Sequence, residues 1–206
     1  MVDEELALSA LKLRRADFVS GLPRWFLIVP VQNAGQPSVR FRTVACEYVK
    51  QLAEAMHGPV ESDGSPLKSP RWNRQAWTPT PLVKREGSPY SDRISLGRAP
   101  NVDVVIHSRF VSKLHAHIVL SDGENPVVTD VSSQNGTFVN GEALPAGPRK
   151  ALSNGDILSL GQVHCEVATS DAVYYALRRK YLLLFAPTET APDRTDPQPL
   201  TKAKVP

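Results

Sequence analysis

From Leu82 onward the chain breaks into short apolar runs: Ile94–Leu96, Val102–Ile106, His117–Leu120, Val127–Val131, Thr137–Val139, Ile157–Leu160 and Val163–Val167. Turn signals separate them, Asp122-Gly123 and Asn-Gly pairs that begin at Asn135, Asn140 and Asn154. Period-two alternation buries one face of each run, and Asn-Gly tolerates the positive backbone dihedrals of a tight turn. Parallel strands would need helical crossovers, for which the runs leave no room. The expected architecture over 82–170 is therefore mainly β, an antiparallel sandwich of many short strands.

The flanks read differently. Residues 1–58 form an expected N-terminal α/β extension whose role the residues do not reveal. Leu6, Leu8, Leu11 and Leu13 give residues 3–15 a helical face, and the continuous apolar run Trp25–Val31 suggests a buried strand. Val44, Tyr48, Leu52 and Met56 lie four apart, a second helix over 44–57 that Gly58-Pro59 ends. The Pro-, Ser- and Gly-rich stretch 59–81 reads as a linker or long loop. Val173, Leu177, Tyr181 and Leu184 align in a C-terminal helix over 171–186, with Asp171 as its cap and Pro187 as its stop. Residues 187–206, with Pro192, Pro197, Pro199 and Pro206, read as a disordered tail.

Charge and composition exclude several function classes. The net charge is +3, yet Arg93 to Ser170 holds six Lys or Arg against seven Asp or Glu, so the strand-rich region lacks the basic excess of a nucleic-acid platform. The longest apolar run, Trp25–Val31, is far short of a membrane span. Asp3, Glu4 and Glu5 stand where a secretory signal needs basic residues, so a cytoplasmic location is expected. Cys46 and Cys165 make neither a disulfide framework nor a metal motif, and Cys165 reads as a small core residue. His115 and His117 share a strand face, with His107 nearby, but no third ligand at motif spacing accompanies them, so no metal is expected.

Five short motifs follow one another in the strand-rich region: Gly97-Arg98, Ser112-Lys113-Leu114-His115, Asn135-Gly136-Thr137, Asn140-Gly141, and Asn154-Gly155-Asp156 before a late strand. In order and spacing they resemble the forkhead-associated (FHA) family across about residues 92–168. The resemblance implies an FHA-type β-sandwich that binds phosphothreonine peptides without cofactor or catalysis.

It also implies residue roles. Arg98, Ser112 and Lys113 would hold the phosphate, for which a planar guanidinium fork, a hydroxyl donor and a mobile ammonium are suited. Asn135, with a donor and an acceptor in one amide, would clamp peptide backbone. Gly97, His115, Gly136, Gly155 and Asp156 would shape the loops, His115 by tying them together. Two positions depart from the family pattern or tune it. Gln134 stands where Thr or Ser often lines the phosphate pocket, and Phe110, two before the serine, suggests an apolar preference in the peptide. Thr78, Thr80, Thr190 and Thr195, beside prolines, are candidate phosphorylation sites for the same pocket. The expected function is an adaptor or regulator in Ser/Thr kinase signalling. Its partner would be a phosphothreonine protein such as a kinase or a kinase substrate, and neither nucleic acid nor membrane. The alternative is a degenerate fold serving as a phosphate-independent scaffold or dimerisation unit. Nothing resembling a nucleophile elbow, phosphate-binding loop or metalloprotease pattern points to an enzyme.

Overall fold

The computed structural model describes residues 2–31, 76–121 and 125–185. Helices α1 (Val2–Lys12) and α2 (Arg15–Ser20) precede strand β1 (Trp25–Pro30). After the gap come β2 (Trp77–Pro81), β3 (Ile94–Gly97), β4 (Val104–Val105), β5 (Ala116–Val119), β6 (Val127–Asp130) and β7 (Thr137–Val139). Strands β8 (Glu142–Leu144), β9 (Arg149–Ala151), β10 (Ile157–Leu160) and β11 (Val163–Thr169) lead into α3 (Ser170–Phe185). The strands form two sheets, in the orders β2-β1-β11-β10-β7-β8 and β4-β3-β5-β6-β9. Every strand pairing is antiparallel except that of β3 with β4.

Inward side chains of both sheets meet in one core that includes Leu27, Leu96, Ile118, Leu152, Leu158 and Val167. Cys165 is fully buried in it, and burial pushes its thiol pKa up to about 12, which leaves it unreactive at neutral pH. A second cluster lies on the other face of β1, where Phe26 and Ile28 pack with Phe18, Trp77, Val173 and Leu177. Strand β1 is therefore covered on both faces, the physical reason that Trp25–Val31 reads as a continuous apolar run. Ala7, Ala10 and Leu11, three and four apart on α1, join the same cluster.

Several expectations change. The linker read over 59–81 ends in strand β2, whose Thr78 and Thr80 pair with Val29 and Leu27 of β1. Leu82 N–H donates to Trp25 O and Val31 N–H to Ala76 O, so Thr78 and Thr80 share that inward phase. Pro79 and Pro81 fall in the outward phase of an edge strand, where a missing N–H costs no ladder bond. Thr78 and Thr80 are thus strand residues rather than members of a flexible zone. The sandwich also draws β1 and β2 from before residue 82, so the sheet does not begin there. At α3 the cap is Thr169, whose hydroxyl accepts the Ala172 N–H at 3.3 Å, while Asp171 lies inside the first turn and pairs with Arg15. Strands β8 and β9 are additions, with mostly exposed side chains and little apolar periodicity to betray them. The helix read over 44–57, the rest of the linker, Cys46, the Asp122-Gly123 turn, Thr190, Thr195 and the tail 187–206 lie outside the described residues.

One end of the sandwich gathers the loops after β3, β4 and β6 with the β10–β11 turn. Arg98 N–H donates to Ser112 O at 2.9 Å, and Gly161 N–H to Gly136 O at 2.9 Å. Four segments distant in sequence are thereby held as one surface.

Candidate functional site

Gly97 ends β3 because nothing larger fits. A Cβ built there would lie 2.2 Å from the Lys113 carbonyl oxygen. This close approach lets Arg98 N–H reach Ser112 O, and Ala99 N–H reach Lys113 O at 3.1 Å. Exposed Arg98 also spends its Nε on the Val111 carbonyl at 3.0 Å. One edge of the guanidinium is fixed by the loop it serves, and its two terminal nitrogens keep their donors for a ligand.

His115 organises the next layer. It is fully buried, its Nδ1 accepts the Ser112 N–H at 3.0 Å, and its Nε2 lies 3.1 Å from the Gly136 carbonyl. Because Nδ1 accepts, the ring proton sits on Nε2 and is donated to Gly136 O. Burial pushes the His115 pKa below its ordinary value, so the ring is neutral at neutral pH. The Ser112 hydroxyl oxygen in turn accepts the Gln134 backbone N–H at 3.0 Å. Its own hydrogen has no acceptor among the described residues.

Asn135 Nδ2 donates to the Phe110 carbonyl at 2.9 Å, which leaves its second amide hydrogen and its oxygen. Gly136 takes φ +74°, beyond the comfort of a side chain. Beneath Asn135, a Cβ at Gly161 would stand 2.5 Å from Phe110 O and 3.0 Å from Asn135 Cβ. Gly161, at φ +59°, therefore lets the Phe110 loop and the Asn135 loop meet. Sequence reading missed it, although its place between two predicted strands was a usable signal. Arg109 was missed too. Its guanidinium lies over the Phe110 ring, 4.8 Å from the centroid.

Supporting turns rest on buried or shared carboxylates. Asp130 accepts from Ser133 N–H, Ser133 Oγ and Thr137 Oγ1. Burial opposes its charge, but those donors outweigh it and hold the pKa below the usual carboxylate range. Ser132, at φ 62°, is a non-glycine residue in the left-handed region inside this loop. Asp156 accepts from Asn140 Nδ2 at 3.0 Å and Ser153 N–H at 2.7 Å, with Gly155 at φ 86° beside it. Asn140 and Asp156 thus close turns away from the mouth.

The mouth therefore brings together Arg98, Phe110, Ser112, Lys113, Gln134 and Asn135, with Gly97, His115 and Gly136 beneath, while Gly155 and Asp156 sit apart. Arg98, Lys113, Gln134 and Asn135 are exposed. Chemically the arrangement offers fixed N–H and O–H donors and free cations, suited to an anion with several acceptor oxygens. Among the described residues no group of three or more His, Cys, Asp or Glu could hold a metal ion, and no helix is long and apolar enough to cross a membrane.

Comparison with known proteins agrees with this geometry. The FHA domain family matches residues 94–161. The protein FraH of Nostoc is 41% identical over 86 residues, covering 41% of this chain and 28% of that protein. The glycogen accumulation regulator GarA of Mycolicibacterium smegmatis is 41% identical over 68 residues, covering 33% and 40%. The chain thus spans less than half the length of these two relatives. The oxoglutarate dehydrogenase inhibitor of Corynebacterium diphtheriae is 31% identical over 142 residues, covering 63% of this chain and 90% of that protein. With that coverage, and with the five motifs on one loop-bearing β-sandwich, the chain belongs to the FHA domain family.

Proposed function

We propose that the chain binds a phosphothreonine segment of a partner protein and works without catalysis, as an adaptor or regulator in Ser/Thr kinase signalling. The observation that carries this reading is the state of the Ser112 hydroxyl. It accepts the Gln134 N–H, so its own hydrogen is free for an external acceptor beside the free donors of Arg98. A phosphate brings close to two negative charges and three strong acceptor oxygens. Arg98 takes two of those oxygens through its terminal nitrogens, Ser112 donates to another, and Lys113 adds a mobile charge. Charge-assisted hydrogen bonds contribute about 1.5–3 kcal/mol each, so three supply most of the roughly 8 kcal/mol of micromolar binding. Asn135 keeps one amide hydrogen and its oxygen for the peptide backbone, Phe110 flanks the peptide, and Gln134 orients the Ser112 hydroxyl through its backbone N–H. The relatives whose names describe a regulator and an inhibitor support a regulatory rather than an enzymatic role. The test is affinity capture from a lysate containing active Ser/Thr kinases, with wild-type and Arg98→Ala chains side by side. Phosphatase-sensitive capture by the wild type alone supports the proposal, and capture unaffected by phosphatase or by the substitution opposes it.

A further inference from the structure

The fold treats the Asn-Gly pairs at Asn135, Asn140 and Asn154 differently. At Asn140 both ends of the amide are occupied: Nδ2 donates to Asp156 at 3.0 Å, and Oδ1 accepts the Ile157 N–H at 2.8 Å. At Asn154 the amide oxygen accepts the Thr169 N–H at 3.0 Å, and the following Gly155 N–H donates to Val167 O at 2.7 Å. At Asn135 only Nδ2 is tied, to the Phe110 carbonyl at 2.9 Å. Among the described residues its oxygen accepts nothing, and the Gly136 N–H donates to nothing. Asn135 is exposed, and Gly136 has no side chain to shield its nitrogen.

An amide carbon is an electrophile, and the next backbone nitrogen is a nucleophile held beside it by the chain itself, so their reaction is unimolecular. The charges of the mouth favour it. Among the described residues Arg98, Arg109 and Lys113 pair with no carboxylate, and 131–137 contains no Asp or Glu. Cations stabilise both the deprotonated nitrogen and the oxyanion that its attack creates.

We propose that Asn135 is a self-modification site, where the empty mouth converts its own amide to a carboxylate and a bound ligand prevents the conversion. The Gly136 nitrogen bonds to Asn135 Cγ, the Cγ–Nδ2 bond breaks, and Nδ2 leaves as ammonia with the Gly136 proton. Water then opens the cyclic imide. Opening at Cγ leaves Asp, and opening at the backbone carbonyl leaves isoaspartate, with the side-chain methylene inserted into the chain. Either product sets an acceptor against the Phe110 carbonyl where a donor stood, and adds a negative charge to the mouth. The resulting loss of phosphopeptide binding rests on the phosphothreonine reading above, whereas the conversion does not. A peptide backbone held by the free oxygen and second amide hydrogen of Asn135 immobilises the amide and closes the route.

The test incubates the full chain in mildly alkaline buffer, folded and, in parallel, unfolded in guanidinium chloride. Peptide mapping by mass spectrometry reads Asp and isoaspartate at the three sites. Unfolded, the sites should convert at similar rates; folded, Asn135 should convert about tenfold faster than Asn140 or Asn154. A saturating phosphothreonine peptide selected from a library should slow Asn135 at least about threefold, and its unphosphorylated form should not. The converted chain, separated by ion exchange, should bind that phosphopeptide at least about tenfold more weakly than the fresh chain. Conversion of Asn135 no faster than Asn140 or Asn154 in the folded chain overturns the proposal. So does full affinity in the converted chain, or a rate that the phosphopeptide leaves unchanged although it binds. If the fresh chain does not prefer the phosphorylated peptide, the phosphothreonine reading fails, and the mapping alone decides whether Asn135 converts itself.

Discussion

The Ser112 backbone N–H donates to His115 Nδ1 at 3.0 Å, and that bond fixes which nitrogen of the ring carries the proton. The other nitrogen then spans to Gly136, so one buried imidazole sets the distance between the serine loop and the asparagine loop. Replacing His115 by Ala would leave the Ser112 N–H and Gly136 O unmatched and open a cavity. Such a change costs about 2–4 kcal/mol. Urea unfolding should report this as a fall in midpoint with an unchanged slope. A loss below about 0.5 kcal/mol would show that the ring does not tie the loops.

The same ring gives a pH dependence whose sign is fixed. Burial holds the folded pKa of His115 below the ordinary 6.5, and that of buried His117 is lowered by burial and by Arg93. The unfolded chain therefore takes up protons first as pH falls. Stability is fully present above about 6.5 and declines below it until the folded-state pKa is reached. Imidazole titration followed by NMR should place the His115 midpoint below 6.5, with the neutral ring as the Nε2–H form. A midpoint at or above 6.5, or the opposite tautomer, would contradict the assignment.

Gly97→Ala tests the close approach under Arg98. The added methyl group must displace the Lys113 carbonyl, which lies 2.2 Å from its position, and overpacking of this kind costs about 1–3 kcal/mol. Thermal unfolding should show the loss. Arg98, one residue away and bonded to the same loop, should bind phosphopeptide more weakly in the variant. Unchanged stability together with unchanged binding would mean that the strand end has room to spare.

Asp103 anchors a strap on the outer face of the second sheet and bonds to none of the mouth residues. Its buried carboxylate accepts from Ser95 N–H and Oγ, Arg85 N–H, Ser88 Oγ and Lys84 Nζ. Burial opposes the charge, but these donors hold its pKa far below the usual range. Its contribution is therefore present at neutral pH and lost only as strong acid protonates it. Removing one partner of a buried pair costs about 3–5 kcal/mol. Asp103→Ala should destabilise by that order in urea unfolding while leaving the affinity of the remaining folded protein for phosphopeptide within about twofold. A selective loss of affinity would place Asp103 in the site after all.

Much of the fold was legible in the sequence where burial imposes a period. Ile94, Leu96, Ile118, Leu158 and Val167 alternate with outward residues and mark their strands. Asn135-Gly136 and Asn154-Gly155 mark turns that the structure closes with positive φ at both glycines. Strands β8 and β9 were not legible because their exposed residues carry no apolar period, and β2 was hidden by Pro79 and Pro81, which an edge strand tolerates. The Thr169 cap lost to Asp171 in the sequence reading because either residue can cap a helix, and only the strand register decides between them. Within the site, Arg98, Ser112 and Asn135 were visible as ordered motifs. Arg109 and Gly161 were not, since a surface arginine and a turn glycine acquire meaning only when the Phe110 loop is seen between them.

The central claim is tested most directly by calorimetric titration of the full chain. The strongest binder from a phosphothreonine peptide library is compared with its unphosphorylated form, against wild-type and Arg98→Ala protein. The account predicts micromolar binding of the phosphorylated peptide by wild type, at least a tenfold loss in Arg98→Ala with unchanged circular dichroism, and no binding of the unphosphorylated form. Equal affinity for the two forms of the peptide, or full affinity in Arg98→Ala, would contradict it.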